Sequence, residues 1–220
     1  MNNDNLVDYL INIGALGSSK IIEAFKNVDR ADFVGPENKS AAYYDDALPI
    51  GSSQTISQPY TVAFMLELLN PENGNKIMDI GSGSCWQTCL LADIVGDSGH
   101  IYAVEIVPEI FEFGKNNALK YPELIKRISF YLANGKTGLP ELSKEIKGFD
   151  RIVCAAEVRE VPDSWREQLK NGGIMVYPKN NGIYKEIKRK TIVIRKSSTR
   201  DLCLFRWWKT NNENCVLFLL

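Results

Sequence analysis

Lys76-Ile77-Met78-Asp79-Ile80-Gly81-Ser82-Gly83-Ser84-Cys85-Trp86 is the stretch that decides the fold. Its first five residues make a short apolar run of the kind a buried strand carries. Gly81 and Gly83 then form a turn at which backbone can come close to a ligand, because neither has a Cβ. A helix begins just after them, and its N-terminal amides point at the same place. Outward from this turn the chain alternates. Strands are predicted at 76–80, 100–105, 128–132, 151–155 and 173–178. Helices are predicted at 86–95, 108–120, 140–147 and 163–170. Such alternation predicts an α/β fold, a doubly wound and mostly parallel sheet with helices on both faces. Upstream, 5–13 and 19–28 have helical spacing, with Ile21, Ile22, Ala24, Phe25 and Val28 on one face and Ser18 or Ser19 as cap. Residues 29–36 break that pattern, and 37–58 have no clean period. Pro59 suits the first turn of a further helix over 59–69, with Ser57 or Gln58 near its cap. Downstream, 190–196, 202–208 and 215–219 are β-rich and read as added antiparallel strands.

Composition narrows the function. The chain has 220 residues, 45% hydrophobic and 24% charged, with a formal net charge of −1. That is the make-up of one ordinary globular domain, without a global field for nucleic acid or membrane. The acidic, polar start is not that of a signal peptide, and no apolar run is long enough to span a bilayer. Five cysteines without CxxC spacing and a single histidine, His100, argue for free buried thiols in a reducing cytoplasm and against a metal site.

In open α/β sheets ligands bind at the carboxyl ends of strands. Gly81, Ser82 and Gly83 follow the first strand. Glu105 ends the second, 22 residues beyond Gly83; Asn134-Gly135 follow the third and Ala155-Ala156-Glu157 the fourth. Glu105 reads either as an acceptor for ribose hydroxyls or as a solvated acid at a strand end. A dinucleotide fingerprint needs a third glycine where Trp86 stands, and no phosphate loop is present. Asp79 would repel a pyrophosphate but suits a cationic, amine-bearing ligand. S-adenosylmethionine matches Asp79 plus Glu105 better than NAD does.

Asp79-Ile80-Gly81-Ser82-Gly83-Ser84 resembles the cofactor motif of class I S-adenosylmethionine-dependent methyltransferases, which have a Rossmann-like fold. More specific is Leu48-Pro49-Ile50-Gly51 followed by Gln54-Thr55-Ile56-Ser57-Gln58-Pro59. With Ala42 to Asp46, Phe149 to Ala156, Val161-Pro162 and Gln168 to Gly173 in the same order, it resembles the protein-L-isoaspartate O-methyltransferase family over roughly residues 18–196. The resemblance implies methylation of isoaspartyl carboxylates in damaged proteins and peptides. Asp79, Gly81, Ser82 and Gly83 would line the methionine part of the cofactor. Glu105 would hold the ribose, and Asn134 and Gly135 would sit beside the adenine. Ser57 matches the family's active-site serine, and would orient the acceptor carboxylate. Thr55, Ile56, Ala155 and Ala156 would line the peptide groove. From the residues alone, Ser57 is as readily a helix cap.

The expected organisation is one domain over 1–220, with N-terminal helices and a substrate loop (1–58), a cofactor-binding core (59–180) and divergent C-terminal strands (181–220). The expected state is a cytoplasmic monomer acting on isoaspartyl proteins and peptides, without metal, membrane or nucleic acid. Three positions depart from the family pattern. Cys85 replaces a glycine, Asn134 replaces an aspartate, and residues 197–220, with the aromatic run Phe205 to Lys209, match nothing in it. Two other readings stand beside the repair enzyme: a carboxyl methyltransferase for another peptide, and a non-catalytic peptide- or cofactor-binding relative. A local basic stretch from Lys185 to Arg200 leaves nucleic-acid methylation as a fourth, against which the fourth strand lacks an Asn/Asp-Pro-Pro-aromatic motif.

Overall fold

The computed structural model of the chain describes residues 1–188 with their side chains and the backbone of 190–195 and 215–218. The chain opens with α1 (Asn3–Asn12) and α2 (Ser19–Asn27), followed by two short 3-10 helices, Arg30–Phe33 and Pro36–Ala41. A two-stranded antiparallel hairpin, β1 (Leu48–Gly51) and β2 (Gln54–Ile56), leads into α3 (Pro59–Leu69). The alternating part then runs β3 (Lys76–Ile80), α4 (Trp86–Val95), β4 (His100–Glu105), α5 (Pro108–Ala118), α6 (Pro122–Ile125), β5 (Ile128–Leu132), α7 (Pro140–Ile146), β6 (Phe149–Cys154), α8 (Asp163–Gln168) and β7 (Leu169–Lys179). It closes with β8 (Gly182–Ile187), β9 (Lys190–Arg195) and β10 (Cys215–Phe218).

The main sheet has the order β10-β9-β8-β7-β6-β3-β4-β5. From β7 to β5 all neighbours are parallel. β3 is the first strand of this block. The chain moves from it to β4 and β5 on one side, then returns to β6 and β7 on the other. The order therefore reverses at the carboxyl end of β3, which is where such sheets form a ligand crevice. That is the position of the glycine turn.

Strand periodicity sorts the core into two layers. Ile77, Ile101, Ala103, Val153 and Val176 pack on one face with α1 to α4. Met78, Ile80, Tyr102, Val104, Ile152, Cys154 and Met175 pack on the other, around Trp165. Helix α4 lies between the sheet and the N-terminal helices, so every residue of it except Asp93 is buried. A helix covered on both sides loses the usual amphipathic stripe, which is why Trp86, Cys89, Leu90, Leu91, Ala92, Ile94 and Val95 spread apolar surface round the helix, while the polar Gln87 and Thr88 face Asp79.

β3, β4, β5 and α4 occupy the residues their patterns predict. Departures fall where periodicity is short or absent. Residues 37–58, which have no clean period, contain the hairpin, whose strands are too short to show one. β8 was not foreseen, because Gly182 to Ile187 merges with the basic stretch around it. β7 starts directly from α8 and carries a register shift opposite Phe149/Arg151. Of the added strands, β8 and β9 run antiparallel to their inner neighbours, but β10 pairs parallel with β9 rather than antiparallel. Residues 202–208 and the aromatic run at 205–209 lie outside the described residues.

The hairpin turn holds Ser52 at φ 45° and Ser53 at φ 57° between the paired residues Gly51 and Gln54. Both central residues are left-handed, as a type I′ turn requires, and a side chain there costs about 1 kcal/mol or more relative to glycine. Ser53→Gly is therefore expected to stabilise the protein by about 0.5–1 kcal/mol. Urea denaturation checks this, and a lower midpoint would show that the serine hydroxyl matters more than the backbone.

Candidate active site

Asp79 sits near the end of β3 and is fully buried. Its Oδ1 accepts from Gln87 Nε2 at 2.9 Å and its Oδ2 from Thr88 Oγ1 at 2.6 Å. Both donors belong to the first turn of α4. The carboxylate thus ties the strand to the helix across the glycine turn. Burial pushes its pKa up to about 6; the two hydrogen bonds pull the other way, and Glu105 adds to the rise.

Between these two elements Gly81, Gly83 and Cys85 all hold left-handed backbone, at φ 74°, 55° and 65°. Cys85 occupies the N-cap of α4 in that conformation, with its thiol buried and pushed up to about 12 chiefly by burial. The turn leaves no room on its α5 side. A Cβ on Gly114 would lie 2.2 Å from the Gly83 carbonyl oxygen and 2.8 Å from Cys85 Sγ.

Glu105 ends β4 and faces the same turn. Its Oε2 accepts from the Gly83 amide at 3.0 Å, and its Oε1 from the Ile106 and Val107 amides at 2.8 and 3.0 Å. Next to it, Ala133 N donates to the Glu105 carbonyl, so the β5 end and Asn134 lie alongside. Asn134 is exposed, its Oδ1 accepting from Lys136 N at 3.0 Å. Gly135 is fixed by Trp165, whose Nε1 donates to its carbonyl at 2.7 Å, and a Cβ there would strike Ile80 at 2.4 Å. Two large apolar side chains stand exposed at these strand ends, Ile106 at 58% and Leu132 at 52%. A carboxylate between exposed aliphatic groups and an amide suits a nucleoside: hydroxyls to Glu105, the base against the apolar flanks. The residues present fit an adenosyl ligand.

The fourth strand end closes the other side. Ala155 N donates to the Ile80 carbonyl at 2.9 Å, and a Cβ on Gly81 would be 3.5 Å from that of Ala156. The hairpin arrives from outside. Ile50 Cδ1 lies 3.8 Å from where Gly83 would carry a Cβ, and Ile110 of α5 lies 4.0 Å from the equivalent point on Gly51. This seats β1 on the glycine turn, and Thr55 and Ile56 lie on β2, the strand paired with it. Thr55 is exposed, Ile56 is buried in the core, and Ser57 is half-buried. Ser57 is not the cap of α3. Asp45 does that work from the loop, accepting Tyr60 N at 2.7 Å through Oδ1 and Gln58 Nε2 at 3.0 Å through Oδ2. Among the described residues the Ser57 hydroxyl has no hydrogen-bond partner.

One residue at this site has no signal in the sequence. Arg30 is wholly buried, 5.3 Å over the ring of Trp86. Its Nη1 donates to the carbonyls of Ala42 and Tyr44, and its Nη2 to those of Asp46 and Ser57. Arginine is rarely so buried, and nothing in the polar stretch 29–36 marks it.

A raised carboxyl pKa carries a sign. Asp79 ionises with more difficulty folded than unfolded, so its contribution favours the fold at low pH and is lost as pH rises from about 4 through about 6. Asp79→Asn removes that component. The stability difference between wild type and Asp79→Asn is expected to shift in the wild type's favour when pH is lowered from 7 to 4.5. Urea midpoints at the two pH values test it; a constant difference would show that Asp79 ionises normally.

A family model described as protein-L-isoaspartate(D-aspartate) O-methyltransferase matches residues 1–202. A protein-L-isoaspartate O-methyltransferase from Staphylothermus marinus is 40% identical over 178 residues, covering 79% of this chain and 77% of that protein. One from Fervidobacterium nodosum is 38% identical over 185 residues, covering 83% and 87%. A solved protein-L-isoaspartate O-methyltransferase superposes with a TM-score of 0.76 at 27% identity, over 90% of this chain and 64% of that one. A Plasmodium falciparum structure, solved in complex with S-adenosyl-L-homocysteine, superposes with the same score at 24% identity over 84% and 89%, a likeness of fold. The ordered motifs, the crevice at the end of β3 and these similarities place the chain in the protein-L-isoaspartate(D-aspartate) O-methyltransferase family.

Proposed function

We propose that the chain methylates the free α-carboxylate of L-isoaspartyl residues in damaged proteins and peptides, using S-adenosylmethionine, with Ser57 orienting the acceptor. The observation that carries this reading is the seating of the β1–β2 hairpin on the glycine turn, Ile50 against Gly83. It supports a reading in which Ser57, whose hydroxyl has no hydrogen-bond partner among the described residues, follows that hairpin toward a crevice whose donor and acceptor set fits an adenosyl group.

Bound S-adenosylmethionine supplies an activated methyl on a cationic sulfur. Glu105 would accept from the ribose hydroxyls, Asn134 and Gly135 would flank the base, and Gly81, Ser82 and Gly83 would line the amino-acid end. Asp79 serves them indirectly, because it has no exposed surface and its oxygens accept from α4. The rest of the work falls to the acceptor side. An isoaspartyl carboxylate has a pKa near about 4 and is ionised at neutral pH, so no residue needs to remove a proton. The chain must exclude water and hold one carboxylate oxygen in line, and such positioning is worth up to ~10 kcal/mol. The Ser57 hydroxyl donates to that carboxylate; Thr55, Ala155 and Ala156 line the groove, while Ile56 contributes through its backbone.

Three free, buried cysteines, Cys85, Cys89 and Cys154, support a reducing, cytoplasmic setting. No helix among the described residues is long and apolar enough to cross a membrane. Within the basic stretch, Lys188 is engaged, its Nζ donating to the carbonyls of Glu167 and Leu169. That supports a structural face in preference to a nucleic-acid surface.

The test pairs peptides that differ only in aspartyl versus isoaspartyl linkage, with labelled S-adenosylmethionine. Base-labile methyl transfer to the isoaspartyl peptide alone is expected. Ser57→Ala should lose one hydrogen bond to a charged group, about 2 kcal/mol, or roughly 30-fold in kcat/KM. Its calorimetric affinity for the cofactor should match wild type. Equal labelling of both peptides would point to a different carboxyl acceptor. No labelling together with normal cofactor binding would mark a non-catalytic relative.

A further inference from the structure

Arg30 lies behind the acceptor groove and is used by none of the steps above. Its four hydrogen bonds go to two backbone segments, which on the function proposed above are walls of that groove. One wall is the loop carrying Ala42, Tyr44 and Asp46, with carbonyls at 2.7, 3.3 and 2.8 Å; the other is Ser57, whose carbonyl is 3.1 Å away. Tyr44, 54% exposed, stands at the lip of the first wall. The two walls are thus joined through one rigid, planar fork, whose donors have fixed spacing.

Three features set this arginine apart from a cation that merely completes a core. Among the described residues it makes no hydrogen bond to a carboxylate; Asp45 and Asp46 act on it through space. Its Nε is buried without a partner, a deficit that packing alone would not keep. It also lies over Trp86, where an unbranched apolar side chain would cover the ring without desolvating a charge. Stability by itself favours such a replacement. What only the guanidinium supplies is simultaneous contact with the loop and with the backbone of Ser57.

We propose that Arg30 is a positioning residue for the acceptor: it sets the width of the isoaspartyl groove by holding the 42–46 loop and the Ser57 backbone at a fixed separation. This rests on the function proposed above for Ser57, and concerns the peptide side alone. The glycine turn and Glu105 receive no bond from Arg30, so cofactor binding is independent of it.

Arg30→Lys keeps the charge and removes the fork. Arg30→Met keeps the cover over Trp86 and removes every donor. In the full-length protein, KM for the isoaspartyl peptide is expected to rise about tenfold in Arg30→Lys and further in Arg30→Met, with kcat within about threefold and cofactor affinity by calorimetry within about twofold. Amide hydrogen exchange supplies a readout that needs no turnover: residues 42–46 and 57–58 should exchange about tenfold faster in Arg30→Lys, with β3 and β4 unchanged. The proposal is overturned if KM stays at the wild-type value. It is also overturned if the rise in KM comes with a matching loss of cofactor affinity and of melting temperature, since that marks a purely structural role. Arg30→Met with wild-type KM would likewise show that packing, not the fork, is what matters. Should Arg30→Met not fold, Arg30→Lys decides. If the wild type does not methylate the peptide, the functional reading fails; the exchange of residues 42–46 and 57–58 still tells whether Arg30 holds the two walls.

Discussion

The geometry of this protein depends on a short passage of left-handed backbone between β3 and α4. Gly81, Gly83 and Cys85 each hold positive φ within five positions. Two are glycines and adopt it without penalty; the cysteine does so at a cost of about 1 kcal/mol or more. Asp79 holds the passage closed from beneath, clasped by Gln87 and Thr88. A buried carboxylate is itself unfavourable, but two short hydrogen bonds restore much of what it loses from water. Every other part of the site takes its place from this turn. Glu105 accepts the Gly83 amide, Ala156 lies against Gly81, and the hairpin rests on Gly83.

The turn also determines how the two halves of the molecule meet. It delivers Trp86 to the start of α4, pointing away from the crevice and into the N-terminal helices. There Phe25 meets it edge-on at 5.4 Å, and Arg30 covers its face. A dinucleotide-binding fold would have a glycine at this point to let helix and strand approach. Here the large ring serves as a floor on which the acceptor loop is built. The residue that argues against NAD is the one that supports the peptide-binding half.

Much of the fold could be read directly because parallel strands and their helices carry strong periods: Lys76–Ile80, His100–Glu105 and Trp86–Val95 begin and end where their patterns say. The hairpin could not, since strands of four and three residues are shorter than any reliable period. At the site, Ser57 and Glu105 stood out through motif and spacing. Arg30 did not, because burial of a charge depends on carbonyls from 42 to 57 that converge only in three dimensions. Asp45 was hidden for the same reason: it caps α3 from fifteen residues upstream of Tyr60, where a local rule looks only at the adjacent residue. Asp79 was legible as important, but its direction was not, since sequence spacing does not say which side of a strand end a carboxylate addresses.

The close contact between α5 and the glycine turn has a consequence for how this sequence can change over descent. A β-carbon at 114 would collide with the Gly83 carbonyl and with the sulfur of Cys85. Position 114 of α5 is therefore closed to any side chain, by the backbone at 83 and by the sulfur at the N-cap of α4. A glycine at 85 would relieve only the sulfur half of the conflict, and the Gly83 carbonyl would still exclude a side chain at 114. The requirement for glycine at 114 is thus set by the backbone of the turn and tightened by the cysteine.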